Sequence, residues 1–358
     1  MTTRSQTRTL RVGNVQIGGG AAIAIQSMTK TDTRDIAKTL GQINKLHTAG
    51  CEIARVAIPD IEAAEAFCEI KKNSPLPLVA DIHFDYKLAM LAIKYGADKI
   101  RVNPGNIGGE EKMLEVARAA KDAGIPIRIG VNSGSLEKKY ISIYGGITSQ
   151  GLCESALHHI NLLESIGFYD IVVSIKASNI PMMLESCTQL AAYVNYPLHI
   201  GVTEAGPGVS GAVRSAAGIG SLLMMGIGDT IRVSLTSDPE DEVLCAKEIL
   251  QALGFRVFGP TLISCPTCGR TEIDLRPLVN DVDMFLQGLK DNIRVAVMGC
   301  AVNGPGEARD ADYGVAGGKG FGVLFKNGNI IKKVPDDMLA DELIKLIKSE
   351  LAPTQAQV

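Results

Sequence analysis

The sequence has no surplus of positive charge. Its 36 lysines and arginines stand against 39 aspartates and glutamates, a net charge of −3, so nothing draws a polyanion such as DNA over the whole surface. Any cationic site is therefore local. No apolar run reaches the roughly 18 residues that cross a bilayer, and no signal-peptide core follows Met1. Arg4, Arg8 and Arg11 in an opening without acids are faintly like a transit peptide, but the stretch is too short for one. The expectation is a cytoplasmic protein that works without a membrane or a nucleic acid. Nor is there a nicotinamide or flavin fingerprint, and no histidine lies beyond His199.

What is present is a globular α/β composition of 358 residues, 46% hydrophobic and 21% charged, enough for one large domain and one small one. Eight cysteines in a reducing compartment point to buried, metal-binding or catalytic thiols rather than disulfides.

A short opening hairpin is expected, with strands 10–17 and 22–26 around Gly18, Gly19 and Gly20. An alternation then repeats eight times. Short β-branched runs at 23–26, 52–58, 76–82, 99–102, 126–131, 170–175, 197–202 and 230–235 read as parallel strands. Helical patterns at 33–48, 61–72, 86–95, 111–123, 149–165, 181–193, 209–225 and 240–253 lie between them. Eight such units in about 250 residues predict a closed (β/α)₈ TIM-type barrel over residues 1–254. Residues 255–358 predict a small α+β domain: a strand to Ser264, a Cys-rich turn, a helix near 278–289, a strand at 293–298, a Gly-rich stretch over 299–322, two strands around Asn327-Gly328 and a helix near 337–351.

Barrel enzymes build their sites at the C-terminal ends of the strands. Collected there are Arg55, Asp81, His83, Arg101, Asn103, Arg128, Asn132, Lys176, Glu204, Arg232 and Ser234. Alternation puts Asp81 with His83, Arg101 with Asn103 and Arg232 with Ser234 on one face each. Five cations on one rim would make a cup for phosphate or diphosphate, since guanidinium forks bind phosphate oxygens bidentately, and the Gly206-Pro207-Gly208 helix start adds backbone donors. The competing reading is a ring of structural ion pairs, for which only Asp81 and Glu204 are evidently placed. His83 and His199 alone would be ordinary core or rim histidines.

The second domain holds Cys265-Pro-Thr-Cys268 and, after the strand at 294–298, Cys300. A C-x₂-C turn with a third distant thiol is ligand spacing for zinc or for an iron-sulfur cluster. Zinc ribbons normally bring a second C-x₂-C pair or histidines, and zinc would be one ligand short here. A three-cysteine cluster accepts a weak oxygen ligand on its fourth iron, and Glu307 is the nearest candidate, although alone it would be read as a solvated loop acid. Cys51, Cys68, Cys153, Cys187 and Cys245 fall in helices or at a strand start and read as inert.

With these residues assembled, the chain resembles the 4-hydroxy-3-methylbut-2-en-1-yl diphosphate synthase family, iron-sulfur enzymes of the methylerythritol phosphate route to isoprenoids, essentially end to end. The segments that carry the resemblance are Arg11-Val-Gly-Asn-Val, Gln26-Ser-Met-Thr, Ala80-Asp-Ile-His-Phe, Arg101-Val-Asn-Pro-Gly-Asn, Arg128-Ile-Gly-Val-Asn-Ser-Gly-Ser, Leu198-His-Ile-Gly-Val-Thr-Glu-Ala-Gly, Cys265-Pro-Thr-Cys-Gly-Arg and Met298-Gly-Cys-Ala-Val-Asn-Gly-Pro-Gly-Glu. The resemblance implies a [4Fe-4S] cluster on Cys265, Cys268, Cys300 and Glu307, against zinc. It implies 2-C-methyl-D-erythritol 2,4-cyclodiphosphate as the substrate, held by the cationic rim and opened by two electrons with loss of water. The iron not held by cysteine would bind the substrate oxygen in place of Glu307, and Glu204 is the candidate proton donor. It further implies flavodoxin or ferredoxin as electron donor, and a two-domain homodimer whose cluster domain covers the partner's barrel mouth. A cluster-free barrel transferase or lyase for a diphosphate, carrying a structural zinc site, is the alternative from composition and spacing.

Overall fold

The computed structural model describes residues 1–103, 106–300 and 308–351. It separates into two compact units, Met1–Arg256 and Val257–Val358.

The first unit opens with a hairpin of β1 (Leu10–Val12) and β2 (Val15–Ile17). The turn falls at Gly13-Asn14, not across Gly18 to Gly20 as the sequence suggested. Leu10, Val12 and Ile17 of that hairpin pack on Ala24, Ile53, Val79 and Val172, the lowest inward residues of the barrel strands. A paired plug thus closes the bottom of the barrel, and the three glycines only lead the chain away from it.

Eight parallel strands follow: β3 (Ala24–Met28), β4 (Ile53–Ala57), β5 (Leu78–Ile82), β6 (Lys99–Val102), β7 (Ile127–Asn132), β8 (Ile171–Lys176), β9 (His199–Ile200) and β10 (Thr230–Ile231). They lie in the order β8-β7-β6-β5-β4-β3-β10-β9, and a bridge between Val173 and Leu198 joins the two ends. The helices that return the chain are α1 (Ile36–Ala49), α2 (Ile61–Asn73), α3 (Tyr86–Lys94), α4 (Glu110–Ala123), α6 (Ser149–Glu164), α7 (Ile180–Tyr193), α8 (Gly208–Met224) and α9 (Pro239–Ala252). Side-chain oxygens of Asp35, Asp60, Asp85, Thr148 and Asn179 cap five of them, each satisfying a backbone N–H that the helix leaves free. One helix has no counterpart in the sequence reading: α5 (Lys138–Tyr144), in the connection after β7. At seven residues it is too short to show a periodicity.

The second unit is a five-stranded sheet in sequence order: β11 (Thr261–Ser264), β12 (Arg294–Met298), β13 (Tyr313–Gly318), β14 (Phe321–Lys326) and β15 (Asn329–Val334). Helices α10 (Leu275–Leu286) and α11 (Leu339–Leu351) bury Leu278, Val282, Leu286, Leu343 and Ile347 against Val295, Val297 and Val315 on one face. Strand β13 lies within the segment read as a Gly-rich stretch. Its glycine at 314 is needed because a Cβ there would stand 2.3 Å from the Phe325 ring, so the residue that weakens the strand signal is the one that lets the sheet pack.

Candidate active site

Parallel register stacks the inward side chains of the barrel in tiers. Asp81 is level with Arg101, and Arg101 with Arg128. Asn132 is level with Lys176. At the C-terminal ends these residues enclose a cavity of about 220 Å³ lined by Arg55, Asp81, His83, Arg101, Arg128, Asn132, Lys176, Arg232 and Ser234, together with Met28, Ser174 and Thr203. Nine of the eleven rim residues expected from the sequence thus share one cavity. The other two are placed differently. Asn103 donates to Ser135 Oγ at 2.9 Å. Glu204 is exposed and takes a left-handed φ of 54°. Besides glycines, only Asn327 shares such a φ among the described residues. The strain at a glutamate just beyond β9 marks it as a residue the fold keeps for a reason other than its own comfort.

Within the cavity Asp81 is the hub. It is 1% exposed, and its carboxylate lies 3.4 Å from Arg55 Nε, 3.0 Å from Arg101 Nη1 and 3.3 Å from His83 Nε2. Burial alone would raise its pKa, but Arg55, the His83 hydrogen bond and Arg101 together hold it far below the usual carboxylate range. Arg55 also reaches Met28 Sδ at 2.9 Å. Burial pulls Arg55 down to about 10 despite Asp81, with Arg232 and Arg101 adding to the fall, and the guanidinium stays charged at neutral pH. Asn132, with its amide oriented to satisfy both neighbours, accepts from Arg101 Nη2 at 3.1 Å.

Two glycines make room for these cations. A Cβ at Gly130 would lie 2.8 Å from Arg101 Nε, and one at Gly201 would lie 2.9 Å from Lys176 Nζ and 2.3 Å from the Arg232 carbonyl oxygen. The Arg101 guanidinium and the Lys176 amine pass across bare strand where a side chain would displace them.

A second buried carboxylate, absent from the sequence reading, partners Arg232. Glu242, in the first turn of α9 and 2% exposed, sits 3.3 Å from Arg232 Nη2 and 3.1 Å from Lys30 Nζ, and accepts from Ser27 Oγ and the Leu235 N–H. Its place on a helix, reaching back over the strand ends, leaves no trace in strand alternation. Lys99 was also missed, although it precedes Arg101 by two residues and shares its inward face. It is fully buried, with Gln26 Oε1 at 3.5 Å.

A cleft of about 320 Å³ in the second unit is lined by Asp274, Asp281, Asp336 and Asp337 over Ile273 and Leu278. Its four carboxylates repel an anion, whereas the cationic barrel cavity suits a phosphate ester.

The three thiols with ligand spacing lie in the second unit. Cys265 follows β11 and Cys300 lies just beyond β12, strands that pair in parallel with Ser264 opposite Val297. The Gly299 N–H donates to Cys265 Sγ at 3.2 Å, and the turn carrying Cys268 returns along the same strand end, with Glu272 N–H bonded to the Gly299 carbonyl at 2.9 Å. The backbone N–H of Arg270, then its side chain, lowers the Cys268 thiol pKa. Among the described residues no three His, Cys, Asp or Glu side chains form a finished metal cage; Glu307, the proposed fourth ligand, lies outside them. The donor chemistry fits an iron-sulfur cluster: soft thiolates on adjacent strand ends, with backbone N–H groups directed at sulfur. The other buried thiols are the opposite case. Burial raises Cys51 and Cys187 to about 12 and Cys153 to about 11, which leaves them protonated and unreactive.

A family model described as the GcpE TIM-barrel domain matches residues 7–247, and one described as the GcpE protein C-terminal domain matches residues 261–349. The 4-hydroxy-3-methylbut-2-en-1-yl diphosphate synthase (flavodoxin) of Clostridium acetobutylicum is 56% identical over 344 residues, covering 96% of this chain and 99% of that protein. The Bacillus subtilis protein of the same name is 54% identical over 347 residues, covering 97% and 92%. Among solved structures, dihydropteroate synthase from Stenotrophomonas maltophilia superposes with a TM-score of 0.50 at 11% identity, over 69% of this chain and 98% of that one. That likeness shows the barrel fold alone.

Proposed function

This chain belongs to the GcpE family, and from that membership we propose that its barrel cavity binds 2-C-methyl-D-erythritol 2,4-cyclodiphosphate for reductive ring opening to 4-hydroxy-3-methylbut-2-enyl diphosphate. The chain is an oxidoreductase of isoprenoid biosynthesis. Its relatives are named as flavodoxin enzymes, and flavodoxin or ferredoxin is the electron donor on this reading. The observation that carries the substrate assignment is the lining of the cavity: the guanidinium groups of Arg55, Arg101, Arg128 and Arg232 and the Lys176 side chain against the single carboxylate of Asp81.

Arg55 and Arg101 are held by Asp81 and Arg232 by Glu242, so the forks meet the diphosphate already oriented, and little side-chain freedom is lost on binding. Arg128 lines the cavity, and its buried Nε and Nη1 have no partner among the described residues, so its guanidinium is not committed to a carboxylate and is the fork left for phosphate oxygens. Asn132 and Ser234 supply neutral donors at the mouth. Glu204, exposed on its strained backbone beside cavity-lining Thr203, is the carboxyl group from which a proton passes to the departing oxygen.

Cys265, Cys268 and Cys300, with Glu307, would hold the [4Fe-4S] cluster. When bound, that group supplies electrons singly and Lewis acidity at an iron open to oxygen. The zinc alternative is not favoured, since the curated relatives carry the name of a flavodoxin-dependent synthase. Two subunits completing each other's sites, with the second unit of one over the barrel mouth of the other, remain part of the proposal.

Iron content tests it. Anaerobically purified wild-type protein is brown and carries iron and acid-labile sulfide; Cys265→Ser, Cys268→Ser and Cys300→Ser each lose both, while Cys187→Ser keeps them. A fully iron-loaded, active Cys300→Ser protein contradicts the ligand set.

A further inference from the structure

Below the cavity the barrel interior does not revert to the aliphatic layer usual in this fold. Fully buried there are Lys99, at 0% exposure, and His199, at 1%. Among the described residues Lys99 Nζ has one hydrogen-bond partner, the neutral Gln26 Oε1 at 3.5 Å. His199 Nδ1 lies 2.8 Å from Thr230 Oγ1, and its Nε2 has no partner among the described residues, nor does Gln26 Nε2. Lys176, in the tier above, is 7% exposed.

The charges facing this layer are predominantly positive. Arg55 from β4, Arg101 from β6, Arg128 from β7 and Arg232 beside β10 surround it, while β3 offers Gln26, β8 Ser174, β9 His199 and β10 Thr230. The two carboxylates within reach are committed: Asp81 to Arg55, Arg101 and His83, and Glu242 to Arg232 and Lys30. Among the described residues neither Lys99 nor Lys176 forms an ion pair. Asp229, also buried, turns to Thr7 and the Leu198 N–H at the bottom of the barrel. Four guanidinium groups against two carboxylates leave an excess of two positive charges in the interior before either lysine is counted.

We infer that the empty barrel is short of protons and that a diphosphate entering it brings protons with it, taken up from solvent by Lys176 at the cavity wall and by Lys99 beneath it. A lysine buried among arginines without a counterion is disfavoured as an ammonium, and it is the residue type that yields its proton under such conditions. Burial first, then Arg128 and its neighbours, push both lysines well below the ordinary range. Two fixed negative charges placed among the guanidinium groups cancel that excess and lift the repulsion that disfavours the ammonium forms. Lys99 does not line the cavity, so it acts as a positioning residue: as an ammonium it donates to Gln26 from below.

The inference rests on the diphosphate reading, and the experiment separates the two. The phosphate hydroxyls of a cyclic diphosphate are all strongly acidic and its alcohols do not titrate, so its charge is constant near neutrality and any proton change on binding belongs to the protein. Binding of the cyclic substrate to the iron-loaded, oxidised enzyme, with no electron donor, is measured by calorimetry at pH 7.5 in buffers of different ionisation enthalpy. The expected uptake is about one to two protons per substrate bound, with affinity falling about tenfold per pH unit for each proton taken up. Lys99→Met, which fills the same space without charge, retains binding but takes up fewer protons, and its melting temperature is not below that of the wild type. Measurable wild-type binding with no proton uptake overturns the inference and leaves the diphosphate site standing. Unchanged uptake in Lys99→Met removes Lys99 from it. Absence of binding by the iron-loaded enzyme overturns the diphosphate reading and the inference with it.

Discussion

Replacing Asp81 by asparagine removes the carboxylate on which the site is organised while keeping its shape. In the native chain that group neutralises Arg55 at 3.4 Å and Arg101 at 3.0 Å, and all three side chains are buried. Asparagine leaves two guanidinium groups uncompensated in an interior already rich in cations. Removing one partner of a buried pair costs about 3–5 kcal/mol, which for a domain of this size corresponds to a fall in melting temperature on the order of 10 °C. The pH dependence follows from the same contact. Because the folded-state pKa of Asp81 is depressed, its stabilising contribution is complete above the ordinary aspartate range, near pH 4, and is lost as pH falls through the lower folded value. Asp81→Asn therefore loses stability at neutral pH, and the gap to wild type narrows only in strong acid. Urea denaturation of the two proteins from pH 7 down to pH 3 reads this directly. A variant within about 0.5 kcal/mol of wild type at pH 7, the ordinary scatter of neutral substitutions, would refute the buried-pair account and leave Asp81 as a spectator.

If Arg55, Arg101 and Arg128 clamp the diphosphate, each change to alanine costs charge-assisted hydrogen bonds of roughly 1.5–3 kcal/mol, or about one to two decades of substrate affinity; wild-type affinity in all three by calorimetry would make them structural. Gly201→Ala sets a methyl group against Lys176 Nζ and the Arg232 carbonyl, so it weakens substrate binding and lowers the melting temperature together, and an unaffected variant would argue against that close approach. Glu204→Gln, at an exposed position, keeps fold and substrate affinity and loses turnover, which a comparison of KM and kcat resolves. Mixing Glu204→Gln with Cys300→Ser, each inactive alone, restores activity in heterodimers if sites form between subunits; stable heterodimers without activity would place the site in one chain.

Much of this was legible in the sequence because strand alternation is strict. Once the eight strands are located, the faces of Arg55, Asp81, Arg101, Arg128 and Lys176 follow. The same rule would have found Lys99, two residues before Arg101, had a lysine inside a barrel been expected. Glu242 was beyond reach, since a helical residue folding back over strand ends obeys no local period. The strand Tyr313–Gly318 was hidden by glycines that the sheet needs beside Phe325 and Ile273. The thiols of Cys265, Cys268 and Cys300 were recognisable from spacing, whereas the hydrogen bond from Gly299 to Cys265 Sγ exists only once β11 and β12 are paired.

The central claim is tested most directly by incubating the anaerobically purified, iron-loaded protein with 2-C-methyl-D-erythritol 2,4-cyclodiphosphate and reduced flavodoxin, and following both substrate and product. The account predicts conversion to 4-hydroxy-3-methylbut-2-enyl diphosphate with two electrons consumed per turnover, abolished in Cys300→Ser. Intact substrate after incubation with fully loaded wild-type protein and reduced donor would contradict it.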